Sequence, residues 1–448
     1  MPRHLLILLA GVLLFGCAIK PEPRFEELQK ISSPRTDGDL VWSRTPEDEA
    51  TIDRRVTELL AKGVTRQEAV QIALLNNRAL QISLDQLGVA EADFVQAGLY
   101  TNPTFAAFLG FPLANGQSDF GLSVFLSDLW QVPARKKMVL SEVEATIREV
   151  GTVVVSTATN AATAFDSVLL HKVLLRLAQD DVQLAEAYET RKAIRYRHGL
   201  TIQPSIEIAR AQLAEARVTL AKSEEALISS LTELDVILSL RGDRSTFEVV
   251  GDLSVLPRTD WTPKAAVAFA LKNRHDIARN EARVRGAERA IAYQKTLLFR
   301  SVGAGGTYVG TLSPGAQNNS WGPALGLEVP IFDQNQAQIA KAEYQLAQCQ
   351  KTLEASRIAA QAEILDALAR YEAANIGILE IKNKVLPELD RAIDFSQQWS
   401  RARQLVLLEQ LMLEQSRISA ERQLVWAEKR IRRADIRLHQ ALWGGSTH

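Results

Sequence analysis

One pattern occurs twice in this chain, and the duplication limits the architectures open to it. Thr65-Arg66-Gln67-Glu68-Ala69-Val70-Gln71-Ile72-Ala73-Leu74-Leu75-Asn76-Asn77 returns, offset by 197 residues, as Thr262-Pro263-Lys264-Ala265-Ala266-Val267-Ala268-Phe269-Ala270-Leu271-Lys272-Asn273-Arg274. Each copy is followed by a helical run, two short strand-like segments around a turn, and a very long helical run. A duplicated helix–hairpin–helix unit of this size builds shape. It argues for a geometric function and against a single-site enzyme.

The 448 residues could hold two or three ordinary domains, but the duplication points to two intertwined halves. The net charge of −1 leaves no basic field to recruit nucleic acid. The long runs are rich in Ala, Leu, Glu, Gln and Arg, all good helix formers. Cys17 and Cys349 are too far apart to form a disulfide framework or a zinc pattern, and Cys349 reads as a small apolar filler. The histidines (His4, His171, His198, His275, His439, His448) show no ligand spacing. No nucleophile elbow, P-loop or dinucleotide fingerprint occurs. Gly303-Ala304-Gly305-Gly306 reads as close strand packing, and Arg241-Gly242-Asp243 as a chance tripeptide. The expectation is a protein with no catalytic residues, no metal and no cofactor.

Residues 1–16 combine a basic start (Arg3, His4) with an apolar stretch from Leu5 to Phe15. That is shorter than the ~20 residues of a membrane span and reads as a secretory signal. Its end, Leu14-Phe15-Gly16-Cys17, resembles a bacterial lipobox, which makes Cys17 the expected lipidation site. Ala18 after it favours the outer membrane by the same analogy. The alternative is an ordinary cleaved signal with an incidental cysteine. No other segment holds 18 uninterrupted apolar residues, so no helix is expected to cross the inner membrane.

Residues 17–46, with Pro21, Pro23, Pro34 and Pro46, read as a lipidated N-terminus and extended linker. The first repeat spans 47–240, a connecting segment 241–261, the second repeat 262–442 and a tail 443–448. In the first repeat, a short helix over about 47–62 precedes a helix from Thr65 to about Gly98. Strands are expected over 105–111 and 120–126 around Asn115-Gly116, which tolerates positive φ. Pro133 is expected to open a helix running from 134 to about 197. At 1.5 Å per residue that helix would reach ~95 Å. His198-Gly199-Leu200-Thr201 breaks it, and a return helix covers about 204–240. The second repeat predicts a helix over 262–298, strands over 302–310 and 321–329 around Ser313-Pro314-Gly315, a run over 333–401 that Pro387 interrupts, and a return helix over 404–442. Ile339, Ala342, Leu346, Cys349 and Leu353 step by three and four, a coiled-coil seam.

Each strand approaches the ~9–11 residues of a tilted membrane-spanning strand. Four strands cannot close a barrel, since the smallest membrane barrels use ~8. Unpaired strand edges in hydrocarbon cost several kcal/mol per group. Two copies would give eight strands and three would give twelve. Trp130 and Trp321, at strand ends, suit a membrane interface or plain packing.

The chain resembles the TolC-like outer-membrane efflux family from about Thr65 to Leu442. The resemblance rests on Ala73-Leu74-Leu75-Asn76-Asn77 and Ala270-Leu271-Lys272-Asn273-Arg274, and on Gln96-Ala97-Gly98-Leu99-Tyr100-Thr101-Asn102-Pro103. It rests further on Arg195-Tyr196-Arg197-His198-Gly199-Leu200-Thr201, on Leu325-Gly326-Leu327-Glu328-Val329-Pro330-Ile331-Phe332-Asp333 and on Val385-Leu386-Pro387. It implies a mainly α fold with a small β part: a duplicated long-helix coiled-coil α-barrel, plus four β-strands per chain contributing to a 12-stranded trimeric outer-membrane β-barrel. The implied protein is a lipid-anchored duct of the bacterial outer membrane with a large periplasmic part. Its partners would be two further copies, outer-membrane lipids, a periplasmic adaptor and an inner-membrane pump of the RND type. The cargo stays open among metal ions, antibiotics, solvents and secreted peptides. The periplasmic tips, His198, Gly199, Leu200, Thr201 and Arg401, Ala402, Arg403, Gln404, would meet the adaptor. Arg401, Arg403 and Glu409 are the gate candidates, although the family's tip aspartates have no counterpart here and Ala402 stands where the first tip has Gly199. The competing reading is a periplasmic coiled-coil lipoprotein scaffold without a pore.

Overall fold

A computed structural model describes residues 24–36, 38–111, 117–240, 247–311, 319–401 and 407–444, with the backbone alone at 33–36, 399–401 and 407–411. The signal at 1–16, Cys17, both hairpin turns (Asn115-Gly116 and Ser313-Pro314-Gly315) and Arg241-Gly242-Asp243 lie outside the described residues. The helices are α1 (Phe25–Thr36), α2 (Pro46–Ala61), α3 (Arg66–Asn76), α4 (Arg78–Ala97), α5 (Asp128–Arg197) and α6 (Gln203–Leu238) in the first half. The second half has α7 (Pro263–Asn273), α8 (His275–Thr296), α9 (Gln336–Glu380), α10 (Leu386–Arg401) and α11 (Leu407–Trp443). Strands β1 (Thr104–Leu109), β2 (Gln117–Phe125), β3 (Val302–Thr311) and β4 (Ser320–Leu327) form one antiparallel sheet in the order β1-β2-β3-β4.

Compact packing cuts across the sequence repeats. One unit gathers segments up to Glu27, Asp85–Arg148 and Ala278–Glu354, and the other Leu28–Leu84, Glu149–Ile277 and the segment from Ala355 onward. The first contains the whole sheet. The second has a core in which Ile72, Ala73, Phe165, Leu169, Leu234 and Leu253 meet. Helix α5 contains a stretch long and apolar enough to cross a membrane, but 78% of that stretch is buried, as in a core helix.

Three expectations are corrected. Residues 25–36, read as extended linker, are helical. The helices expected over 65–98 and 262–298 each break, at Asn77 (ψ 117°) and Arg274 (ψ 133°). Helix α5 begins at Asp128, whose carboxylate accepts the Thr101 N–H at 2.6 Å, and Pro133 sits inside it. The run over 333–401 is interrupted near Pro387, as expected, by a π-helical turn, Ile381–Val385, just before it. The wider turn accommodates a residue that would strain an α-helix interior.

The breaks explain the repeated motif. Asn77 Oδ1 accepts the Leu80 N–H at 2.9 Å, capping α4. Its amide donates to the Ile237 carbonyl at 2.7 Å, and Asn76 donates to Leu238 and Ser239 at 2.7 and 3.0 Å. These are the orphan carbonyls at the C-terminus of return helix α6. In the second copy Arg274 donates to the Ala441 carbonyl near the end of α11 at 2.8 Å, and pairs with Asp276 and Glu363. Both copies therefore tie a helix break to the end of their own return helix.

Burial raises the pKa of Asp435 above its ordinary 3.8, against the pull of Arg66 and Arg432. The unfolded chain thus releases this proton first as pH rises. The stability contributed by the neutral folded carboxyl is complete below 3.8 and is lost as pH climbs through the raised folded value. Asp435→Asn is expected to flatten the melting temperature across that window. An unchanged pH profile in the variant would contradict this assignment.

Candidate functional site

The sheet's register separates its side chains into two unlike faces. Phe105 pairs with Leu122, Leu122 with Gly306, and Gly306 with Pro323. Because successive residues point to opposite faces, one face carries Phe105, Ala107 and Leu109 of β1 and Phe120, Leu122 and Val124 of β2. Val302, Ala304 and Tyr308 of β3 and Trp321, Pro323, Leu325 and Leu327 of β4 complete it. This face is apolar throughout its middle, and in the single chain Trp321 and Leu325 are 84% and 82% exposed. The opposite face carries Thr104, Gln117, Asp119, Ser123, Thr307 and Ser320 among glycines and alanines, with Phe108, Phe125 and Val309 as its large apolar residues.

Aromatic rings line up on the apolar face. Phe120, Tyr308 and Trp321 occupy one row across β2, β3 and β4, near the hairpin ends. Phe120 lies 6.1 Å from Tyr308 and 6.4 Å from Phe105, ring to ring. Trp130 lies in the first turn of α5, where its indole donates to the Thr296 carbonyl at 3.3 Å. At the helix end of the sheet, Leu99, Tyr100, Leu129, Val329, Ile331 and Phe332 are also exposed.

The glycines of β3 do what close strand packing requires. A Cβ on Gly305 would overlap the Leu122 carbonyl oxygen, whereas one on Gly326 would meet nothing within 4 Å. Gly305→Ala is expected to cost ~1–3 kcal/mol, the usual scale of overpacking, and Gly326→Ala to be silent. Thermal melting of the two variants checks this, and equal melting temperatures would contradict it.

The turn between α5 and α6 contains His198, Gly199, Leu200 and Thr201, as expected. Gly199 has φ +70°, its N–H donates to Tyr196 O at 3.0 Å, and Leu200 N–H donates to Arg195 O at 2.8 Å. This is a Schellman closure, which calls for glycine at the left-handed position. Beside it Tyr196, Leu200 and Ile202 are exposed. Sequence reasoning missed Ile202, whose signal was an apolar residue flanked by Thr201 and Gln203 at a helix start. At the other tip, Ala402, Arg403 and Gln404 lie outside the described residues. Arg401 ends α10 and Glu409 lies in α11, both with only the backbone described. Among the described residues no three His, Cys, Asp or Glu side chains converge on a common point.

No family model matches the sequence, and no curated protein does. Solved structures do match. The CmeC outer membrane channel of Campylobacter jejuni aligns over 93% of this chain and 92% of its own, with a TM-score of 0.70 at 14% identity. The MtrE outer membrane channel of Neisseria gonorrhoeae, in its open state, aligns over 85% and 89% (TM-score 0.68, 19% identity). The outer membrane protein VceC of Vibrio cholerae aligns over 85% and 96% (TM-score 0.69, 17% identity). The fold of this chain is that of the TolC-like channels.

Proposed function

We propose that three copies of this chain form an outer-membrane efflux channel that conducts solutes passively, with energy supplied by an inner-membrane pump. The observation that carries this reading is the two-faced sheet. An apolar outer face with an aromatic row, and an inner face of mostly small or polar residues interrupted by Phe108, Phe125 and Val309, follow the pattern of a membrane barrel. Strands β1 and β4 each leave one edge unpaired, and hydrocarbon does not tolerate such edges. Further copies satisfy them. Eight strands would enclose only enough room for side chains, whereas twelve, lined mostly with glycine, alanine, serine and threonine, leave a pore.

The helices support the same stoichiometry argument. Ile358, Leu365 and Leu379 of α9, at multiples of seven residues, are at least half exposed in the single chain and suit burial against a neighbouring copy. The tip around Gly199, with Tyr196, Leu200 and Ile202, offers an apolar contact to a periplasmic adaptor. Arg401, Ala402, Arg403 and Gln404 form the second tip in this proposal, and Arg401, Arg403 and Glu409 are the gate residues. Cys17 would carry the lipid that anchors the chain.

Closure is testable by cross-linking. With Cys349→Ser as background, Ala106→Cys on β1 is combined with a cysteine at each of positions 322 to 326 on β4. Oxidation of membrane-inserted protein is expected to yield a covalent trimer for at least one pair. A ladder ending at dimer would reduce the ring to two copies. Monomer alone at every pair would favour the pore-free scaffold.

A further inference from the structure

The C-terminal half of α11 reads Lys429-Arg430-Ile431-Arg432-Arg433-Ala434-Asp435-Ile436-Arg437, and the fold divides its charges. Arg432 turns inward onto Asp166, and Asp435 lies half-buried beside Arg66, Asp166 and Arg432. Glu428 is buried against Lys382 at 2.9 Å. The acids of this stretch are thereby engaged, and the outer face keeps the cations. Trp426, Arg430, Arg433 and Arg437 step by four, three and four along it, so they share one side of the helix. Arg430 and Arg433 are exposed and Arg437 half-buried, and none of the three makes a hydrogen bond or ion pair among the described residues.

Helix α9 adds a fourth arginine. Arg370 and Asp366 approach Arg437, and Asp366 accepts the Arg370 Nε–H at 2.6 Å. Burial, together with the neighbouring Arg433 and Arg370, pushes the Arg437 guanidinium below its usual value. Lys429 is likewise depressed by burial and by Arg433. Asp366 beside Arg437, and Glu233 and Asp166 beside Lys429, are the carboxylates near these cations, and the exposed guanidiniums still gain from a mobile counter-anion. The packed sides of both helices lie elsewhere, since Ile364, Leu368, Leu438 and Leu442 turn to Ala266 and Ala270 of α7. This arginine face is also a poor seat for another copy. Interface cores are depleted in charge, and the apolar stripe of Ile358, Leu365 and Leu379 is the better candidate for that contact.

We propose that Arg370, Arg430, Arg433 and Arg437 form an anion-binding station lining the conduit, which favours passage of carboxylate- or phosphate-bearing solutes. The proposal rests on the channel reading and names its cargo class.

The test is the reversal potential of single channels in planar bilayers under a KCl gradient, with native mass determined alongside. The wild-type channel is expected to favour chloride. Arg433→Gln, Arg437→Gln and the Arg370→Gln/Arg433→Gln/Arg437→Gln triple variant should each lower the chloride-to-potassium permeability ratio. The loss expected is about threefold per charge, the worth of one Coulomb contact across water at roughly 6 Å. The corresponding lysine variants should keep the wild-type ratio, which separates lost charge from lost folding. Conducting glutamine channels with an unchanged ratio would overturn the station and leave the channel reading intact. So would glutamine variants that no longer form trimers, because the arginines would then pair with a neighbouring copy. A folded, membrane-inserted wild type that never conducts would overturn the channel reading and the station with it.

Discussion

Leu325→Arg is expected to keep the protein out of the membrane while leaving its helical unit folded. Leu325 sits on the apolar face of β4 and is 82% exposed in the single chain. A charge at an exposed position of a soluble protein changes stability within about ±0.5 kcal/mol. On the lipid face of a barrel, arginine costs up to ~2–4 kcal/mol near the midplane, and three copies incur it three times. Thr307→Lys, on the opposite face of β3, points the same kind of charge into a water-filled lumen and is expected to insert normally. Flotation with liposomes after refolding checks both. Equal insertion of the two variants would remove the distinction between the faces.

Arg432→Ala is expected to destabilise the helical unit by ~3–5 kcal/mol, the cost of stranding a buried charge. Arg432 donates to Asp166 Oδ1 at 3.1 Å, to the Asp252 and Val255 carbonyls at 2.5 and 2.9 Å, and to the Leu253 carbonyl at 3.3 Å. One guanidinium thus satisfies the loop at 252–255 and neutralises a carboxylate. Among the described residues, removing it leaves Asp166 with Arg66 at 4.0 Å as its ion-pair partner. A lysine is a point charge and cannot span the same acceptors, so Arg432→Lys should recover little. Urea denaturation measures the change, and a loss under about 1 kcal/mol would show that the loop holds without the clamp.

The parts of the fold that depend on local periodicity were legible in the sequence, and those that depend on distant partners were not. The duplicated Thr65 and Thr262 segments, the long helices and the four strands follow from helix formers, glycine-rich turns and short apolar runs. The breaks at Asn77 and Arg274 escaped notice because their causes, the carbonyls of Ile237 and Ala441, lie 160 and 167 residues away. The same holds for Arg432, which reaches Asp166 across 266 positions. Helix α1 was hidden by the prolines around it, which favoured an extended reading of 17–46. The two-faced sheet was not legible in β1, where Ala106 and Phe108 are apolar as well, and β4 alternates apolar residues with glycine and alanine, so the faces emerge only once register is known. At the first tip, the glycine requirement was readable from Gly199. The exposed Tyr196 and Ile202 needed the geometry of the turn.

The central claim, that this chain is one third of a membrane channel, meets its most direct test in planar bilayers. Purified protein of trimeric mass is predicted to give discrete, long-lived conductance steps. A folded monomer that neither inserts nor conducts would contradict the account and leave a periplasmic scaffold in its place.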